Sequence, residues 1–329
     1  MRKLLVILMA MVPGFVWAQF APAQDKPGTT AMRADSSAFV AWAIGCVAEP
    51  GPMNITNPGV GLAGVGWPAE NAIGEPEGTY GVTCLGDGGR ATVTFASPIC
   101  NRPGPDFAVF ENGFANAQNP DMWFLELGFV EVSSDGVNFF RFPAVTYVQT
   151  ETQINGSGCI DPAQIHNFAS KYGAMYGTPF DLDEVEDNPL LDKNSITHVR
   201  IIDVVGNINP EYCTYDSEGH IVNDPWPTPF ASCGMDLDAV GVIHDVAHHS
   251  VAENTAETIS VYPNPAHDFI VIRTNNDSPL QGVELYSVTG QIVLSSTENK
   301  INVSGLEPGI YFVRINCGDN IITERVIIR

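Results

Sequence analysis

The chain has 329 residues and carries 38 acidic against 15 basic side chains, a formal net charge of −23. So strong a negative field repels phosphate backbones and excludes nucleic acid and anionic lipid as main partners, while the length allows two domains with cores of their own. Residues 251–329 hold nine acidic and five basic side chains, and removing Arg2 and Lys3 with a leader leaves 13 − 38 = −25, so 29 acids stand against eight bases between Gln19 and Ser250.

In chain order, Arg2 and Lys3 precede the apolar run Leu4–Val12, and Val16-Trp-Ala18 supplies small residues before Gln19. Residues 1–18 therefore read as a secretory signal peptide, too short and too soon broken by Pro13 and Gly14 to be a membrane anchor. Residues 19–36, rich in Ala, Pro, Gln and Thr, read as a flexible lead-in. The segment 45–90 is dense in Gly and Pro and reads as loops. Within it Asn71-Ala-Ile-Gly-Glu-Pro-Glu77 is a solvated turn with a modest resemblance to a calcium loop.

Strand periodicity then begins. Ala91, Val93 and Phe95 alternate with Thr92 and Thr94, and Asp106-Phe-Ala-Val-Phe-Glu-Asn-Gly113 alternates straight into a carboxylate, an amide and a turn glycine. Val130 and Val132, the turn Asp135-Gly136 and Phe139–Phe142 read as a hairpin. After a helical or loop excursion over 161–193, Val199 and Ile201 open a strand carrying Asp203 in phase with its apolar face, where an acid needs a partner. A long loop over 206–233 with Asp216, Glu218 and Asp224 leads to Asp236-Leu-Asp-Ala-Val-Gly-Val-Ile243, whose alternation places Asp236, Asp238, Val240 and Val242 on one face. Short strands with DG and PG turns predict an all-β passenger over 37–245. Residues 246–258 lose apolar period and read as a linker, and 259–329 as a second, small immunoglobulin-like β-sandwich of six or seven strands.

Of seven cysteines, Cys46, Cys84, Cys100, Cys159, Cys213 and Cys233 lie in the acidic region and Cys317 near the end. In an exported chain these point to disulfides, and Cys213 with Cys233, which bracket one polar loop, is the pair expected to bond. No C-x2-C pair suggests zinc.

The blocks Val261-Tyr-Pro-Asn-Pro-Ala-His-Asp268, Glu284-Leu-Tyr-Ser-Val-Thr-Gly290, Gly305-Leu-Glu-Pro-Gly-Ile-Tyr-Phe-Val-Arg-Ile315 and Glu324-Arg-Val-Ile-Ile-Arg329 resemble the type A C-terminal sorting domain of the type IX secretion system, with Arg325 where lysine is commoner. The resemblance implies an export address read by the outer-membrane machinery, a passenger left on the cell surface or released, and a source of the Bacteroidetes type. Asp106–Gly113, Val130–Gly136, Tyr176–Leu182 and Met235–Gly241 resemble an uncharacterised bacterial cell-surface-protein family. Their acidic strand ends are similar to those of calcium-bearing jelly rolls of the galactose-binding type, so the passenger is expected to be a jelly-roll-like β-sandwich.

Glu111, Asn112, Asp236 and Asp238 are hard oxygen donors at strand ends, the chemistry calcium takes, with Asp203, Asp216 and Glu218 as lesser candidates; the alternative is a set of turn-capping acids. Asp236 and Asp238, at positions about 6.6 Å apart along a strand, have the spacing of paired glycosidase carboxylates, but nothing places them on opposed walls of an aromatic cleft. His244-Asp-Val-Ala-His248 imitates a helical zinc motif on what reads as a strand end. Trp42, Trp67, Trp123 and Trp226 serve equally as a sugar platform or as packing. The residues thus point to a secreted, surface-attached, non-catalytic binding or adhesion protein, calcium-stabilised, with glycan as the ligand class. The alternatives are a secreted glycan-directed hydrolase and a structural surface-layer component.

Overall fold

A computed structural model describes residues 20–228, 230–248, 260–273, 280–317 and 320–329, without the side chains of 317–322. The expected leader, most of the linker and the Cys317 side chain lie outside them. The chain divides into two compact units, Met1–Ser250 and Val251–Arg329. Among the described residues no segment is α-helical, and both units are all-β.

The first unit is built on Phe107–Glu111, which is buried along its whole length. Its sheet runs in the order Met32–Arg33, Tyr176–Phe180, Phe107–Glu111, Asp236–Val242, Ala41–Trp42, with Thr83–Cys84 also paired to Asp236–Val242. A second sheet runs Phe140–Arg141, Gly128–Ser133, Ile196–Asp203, Arg90–Ile99, Gly45–Glu49. Period-two geometry sends Phe107 and Val109 inward, where with Leu237, Val240 and Val242 they form one core with Val93, Val130, Val132, Val199 and Ile201 of the opposite sheet. Ala108 and Phe110 point the other way and are covered by Met32, Ala34, Phe39 and Trp42. Both faces of the strand are therefore dry. The Ala- and Pro-rich lead-in supplies part of that cover, because Met32 and Arg33 pair with Gly177 and Tyr176.

Two details of this unit depart from simple alternation. The excursion over 161–193 contains the strand Tyr176–Phe180, seated between Met32–Arg33 and Phe107–Glu111. In Asp236–Val242 the register against the neighbouring strand slips, with Leu237 opposite Glu111 and Ala239 opposite Phe110. Asp238 is the extra residue of a β-bulge, so the phase reverses there. Leu237, not Asp236, shares the core face with Val240 and Val242. This corrects the single acidic face that alternation predicts. The expected hairpin is present, with Phe140 and Arg141 opposite Val132 and Glu131 and Gly136 at φ 73 in its turn.

In the second unit the sheets are Ser260–Tyr262, Phe269–Arg273, Lys300–Asn302 and Ile292–Ser296, Leu280–Ser287, Gly309–Cys317, Asn320–Ile328. Ile270, Ile272, Val283, Leu285, Ile301, Val313, Ile315, Val326 and Ile328 close the core between them. Lys300–Asn302 is the one strand that periodicity passed over.

All six described cysteines are free thiols, so Cys213 and Cys233 are not joined. Cys233 is turned into the interior, where the charge of a thiolate there would act on Cys84, whereas Cys213 is half-buried and engaged by Tyr215. Bracketing a loop in sequence does not bring two side chains onto one line.

Candidate functional site

The strand ends do gather carboxylates, and they bury them. Glu111 Oε2 accepts the Gly113 N–H at 2.6 Å, and Asp236 Oδ2 accepts the Asn112 amide at 3.1 Å. Glu111 Oε1 and Asp236 Oδ1 are both shut from solvent with no hydrogen-bond partner. Burial raises Glu111 well above the ordinary carboxylate range, and the negative charges of Asp236 and Asp238 raise it further. Burial likewise pushes Asp236 up to about 6, against the Cys84 and Asn112 hydrogen bonds. Glu111, Asn112 and Asp236 therefore lie together.

Asp238 has a partner of its own. The bulge turns its carboxylate to the backbone N–H groups of Glu77 and Gly78, each at 2.9 Å, so it clamps the end of the Asn71–Glu77 turn to the sheet. Burial still pushes it up to about 6. Asp203 is also clamped, accepting from Met235 N at 2.6 Å and Gly88 N at 2.9 Å. Asp216 and Glu218 belong to a separate loop. Asp216 takes the N–H groups of Thr146, Glu218 and His220, while Glu218 is exposed beside the Tyr147 hydroxyl. His244 pairs with Asp106 and His248 with Asp245, so the two imidazoles do not share a site. Trp42 packs on Phe39 and Phe110, and the Trp226 N–H donates to Asp87, so each of these two has a packing or bonding role of its own. Among the described residues, no group of three or more His, Cys, Asp or Glu side chains converges in the arrangement of a bound metal.

Sequence reasoning missed Asp87 and Glu126, and used Asp224 only as a loop acid. All three are buried, and burial is the first cause that raises each of them. The signal for Glu126 was present, since a lone acid between Leu125 and Leu127 in an apolar run has to be accommodated inside.

A cavity of about 550 Å³ lies elsewhere on the first unit. Phe20 forms one wall and stacks on His166 at 5.1 Å and Tyr147 at 5.6 Å between centroids. Glu184, lining it, accepts from the Asn167 amide at 2.5 Å and lies 3.2 Å from His166 Nε2, and the His166 hydrogen bond leads the causes that hold it below its ordinary range. Lys171, also in the lining, donates to the carbonyls of Pro162 and Ile165 at 2.5 Å each.

Desolvation pulls Lys171 down to about 7. A neutral amine keeps two N–H groups, so both carbonyls remain served after the proton leaves. Between pH 7 and the unfolded value near 10.5 the unfolded chain binds more protons, so stability rises with pH there, by up to about 1.4 kcal/mol per pH unit. Lys171→Met should remove that slope from denaturant melts taken between pH 7 and 9.5. An equal slope in the variant would show that Lys171 keeps its proton.

No curated protein matches this chain. Solved structures it is similar to include a biofilm-associated protein BSP domain at 9% identity, TM-score 0.19, covering 73% of this chain and 48% of that one. A Faecalibacterium prausnitzii β-glucuronidase is 11% identical at TM-score 0.23 over 91% and 46%, respectively. PorZ, a surface component of the type IX secretion system of Porphyromonas gingivalis, is 12% identical at TM-score 0.20 over 80% and 45%. The match thus spans about half the length of each, and at these TM-scores the likeness bears on neither the fold nor the function of the passenger. The second unit is different. The model of the secretion system C-terminal sorting domain matches residues 260–329, the unit whose motif blocks and seven-stranded double sheet are described above. The C-terminal unit is thus a type IX secretion sorting domain, and the chain is an exported cargo of that system, bound for the cell surface or the medium.

Proposed function

We propose that the passenger is a non-catalytic binding or adhesion module that takes a glycan in the cavity walled by Phe20 and His166 and uses calcium at Glu111, Asn112 and Asp236 to hold its strand ends. The observation that carries this reading is the state of the carboxylates. Asp236 and Asp238 are 3% and 0% exposed, so no water-activating pair opens to a substrate. In the cavity Glu184 is held below its ordinary range by His166 and Asn167, the wrong direction for an acid that must protonate a leaving group. What the cavity does offer is a stacked aromatic wall beside amide, hydroxyl and charged groups, the usual means of holding a sugar ring.

A glycan array probed with the full chain, with and without calcium, tests this reading. Binding of at least one glycan class, weakened more than tenfold by Phe20→Ala, is expected. Release of reducing ends from a bound glycan, abolished by Glu184→Gln, would establish the hydrolase instead. For the metal, chelation should lower the melting temperature and calcium should restore it better than magnesium. Saturation at a hundredfold above the dissociation constant contributes about 2.7 kcal/mol. Glu111→Gln and Asp236→Asn should each reduce the effect, and Asp238→Asn should do so less, because its oxygens already hold Glu77 and Gly78.

A further inference from the structure

At one end of the passenger's second sheet, a narrow space of about 10 Å³ is lined by Asp87, Glu126, Asp203, Asp224 and Trp226, with Gly234 at its edge and no basic side chain in its wall. That is the room of one water-sized sphere. Each acid arrives from a different segment. Asp87 precedes the strand Arg90–Ile99, Glu126 precedes Gly128–Ser133, Asp203 ends Ile196–Asp203, and Asp224 comes from the long loop over 206–233. Backbone shape makes space for two of them. A Cβ on Gly206 would lie 1.5 Å from Asp224 Oδ1, and one on Gly234, at φ +72, would lie 2.7 Å from Asp203 Oδ1.

The hydrogen bonds in this space leave one acid without a partner. Asp203 is held by two backbone N–H groups, Asp224 Oδ2 accepts from Leu127 N at 2.9 Å, and Asp87 Oδ2 accepts from Ile55 N and from Trp226 Nε1 at 3.1 Å. Glu126 is 3% exposed, and its Oε1 has no hydrogen-bond partner at all. A buried carboxylate oxygen without a donor is costly, and here it stands among three further acids of the same sign.

We propose that this space is a buried site for a single calcium ion, liganded by Asp87, Glu126, Asp203 and Asp224, which ties three strand ends of the second sheet to the 206–233 loop. The donors are all hard oxygens, they come from flexible as well as fixed segments, and a divalent cation offsets charges that no side chain in the wall offsets. A water molecule would satisfy Glu126 Oε1 but would leave the four acids repelling one another. As they stand the four acids are not in the arrangement of a bound metal, so binding requires side-chain rotations that bring their oxygens to calcium distances of about 2.3–2.6 Å. The site shares no residue with Glu111, Asn112 and Asp236, but the charges of Asp236 and Glu111 also act on Glu126, so Asp224→Asn is the variant that separates this site from the one given above.

The test uses the full chain stripped with chelator and titrated with calcium, and in parallel with terbium, whose emission is excited through a neighbouring indole. Glu126→Gln and Asp224→Asn are expected to weaken calcium binding at one site at least tenfold, and Trp226→Phe to cut the sensitised terbium emission severalfold while calcium still binds. Glu126→Gln changes no hydrogen bond to Oε1, so it should fold, and in chelator it should melt higher than the native protein because a buried negative charge is gone. Unchanged calcium affinity in both Glu126→Gln and Asp224→Asn overturns the site, as does terbium emission indifferent to Trp226. A calcium response lost in Glu111→Gln but retained in these variants would place the only ion at the other cluster and overturn this one.

Discussion

Removing residues 260–329 is expected to abolish appearance of the passenger outside the cell, so that it accumulates behind the outer membrane. The physical ground is the independence of the two units. The sorting domain closes its own core around Ile270, Leu285, Val313 and Val326, and the passenger closes another around Phe107, Val130 and Val240. The passenger should therefore fold, resist protease as the native protein does, and merely be misdelivered. Fractionation and surface proteolysis of cells expressing the truncated chain measure this. Normal surface display would show that the address lies elsewhere, and a passenger degraded on truncation would show that the units are not independent.

The second large effect is expected at Asp106, which lies outside every candidate site. Its buried carboxylate accepts from Arg102 N, Leu182 N and His244 Nδ1, each at 2.9 Å, and so fastens three segments to the start of the central strand. Burial raises Asp106 above its ordinary range and the three donors oppose the rise. Asp106→Ala strands these donors in the interior and should cost about 3–5 kcal/mol, because a hydrogen bond to a charged group is worth about 1.5–3 kcal/mol and the orphaned donors add their desolvation. In a unit of this size that is a fall in melting temperature on the order of 10 °C. Asp106→Asn, which keeps an acceptor, should recover part of it. A change of under about 1 kcal/mol in Asp106→Ala would mean that water replaces the carboxylate there.

How far the sequence could be read depended on whether a feature was local. The sorting domain was legible almost strand by strand, because its blocks are contiguous and its core alternates as in Ile270 and Ile272. Phe107–Glu111 was legible for the same reason. Tyr176–Phe180 was not, since Gly177 and Pro179 weaken any local strand signal and only the neighbouring strands hold it extended. The bulge at Asp238 leaves the alternation of letters undisturbed, as it arises from register against Glu111 and Phe110. Of the site residues, Glu111, Asn112 and Asp236 could be grouped because each lies at one end of a readable strand. Asp87, Glu126 and Asp224 could not, since the turn, the strand approach and the loop that carry them are joined only by the fold.

The pairing of Val109 with Val240, and of Leu237 with Glu111, also bears on when the passenger can form. Its central sheet joins strands from opposite ends of the unit, so almost the entire passenger must be available before the sheet closes, and the loop-closure entropy comes due before the contacts that offset it. The sorting domain has the opposite character, with Gly309–Cys317 and Asn320–Ile328 paired as a hairpin from Gly309–Ile328 to Cys317–Asn320. Its strand pairings are shorter in sequence than those of the passenger's central sheet and should form sooner. In refolding from denaturant the export address would then be native while the cargo in front of it is still an open chain, which sets the order in which any receptor of the tail and any ligand of the passenger first meet a folded surface.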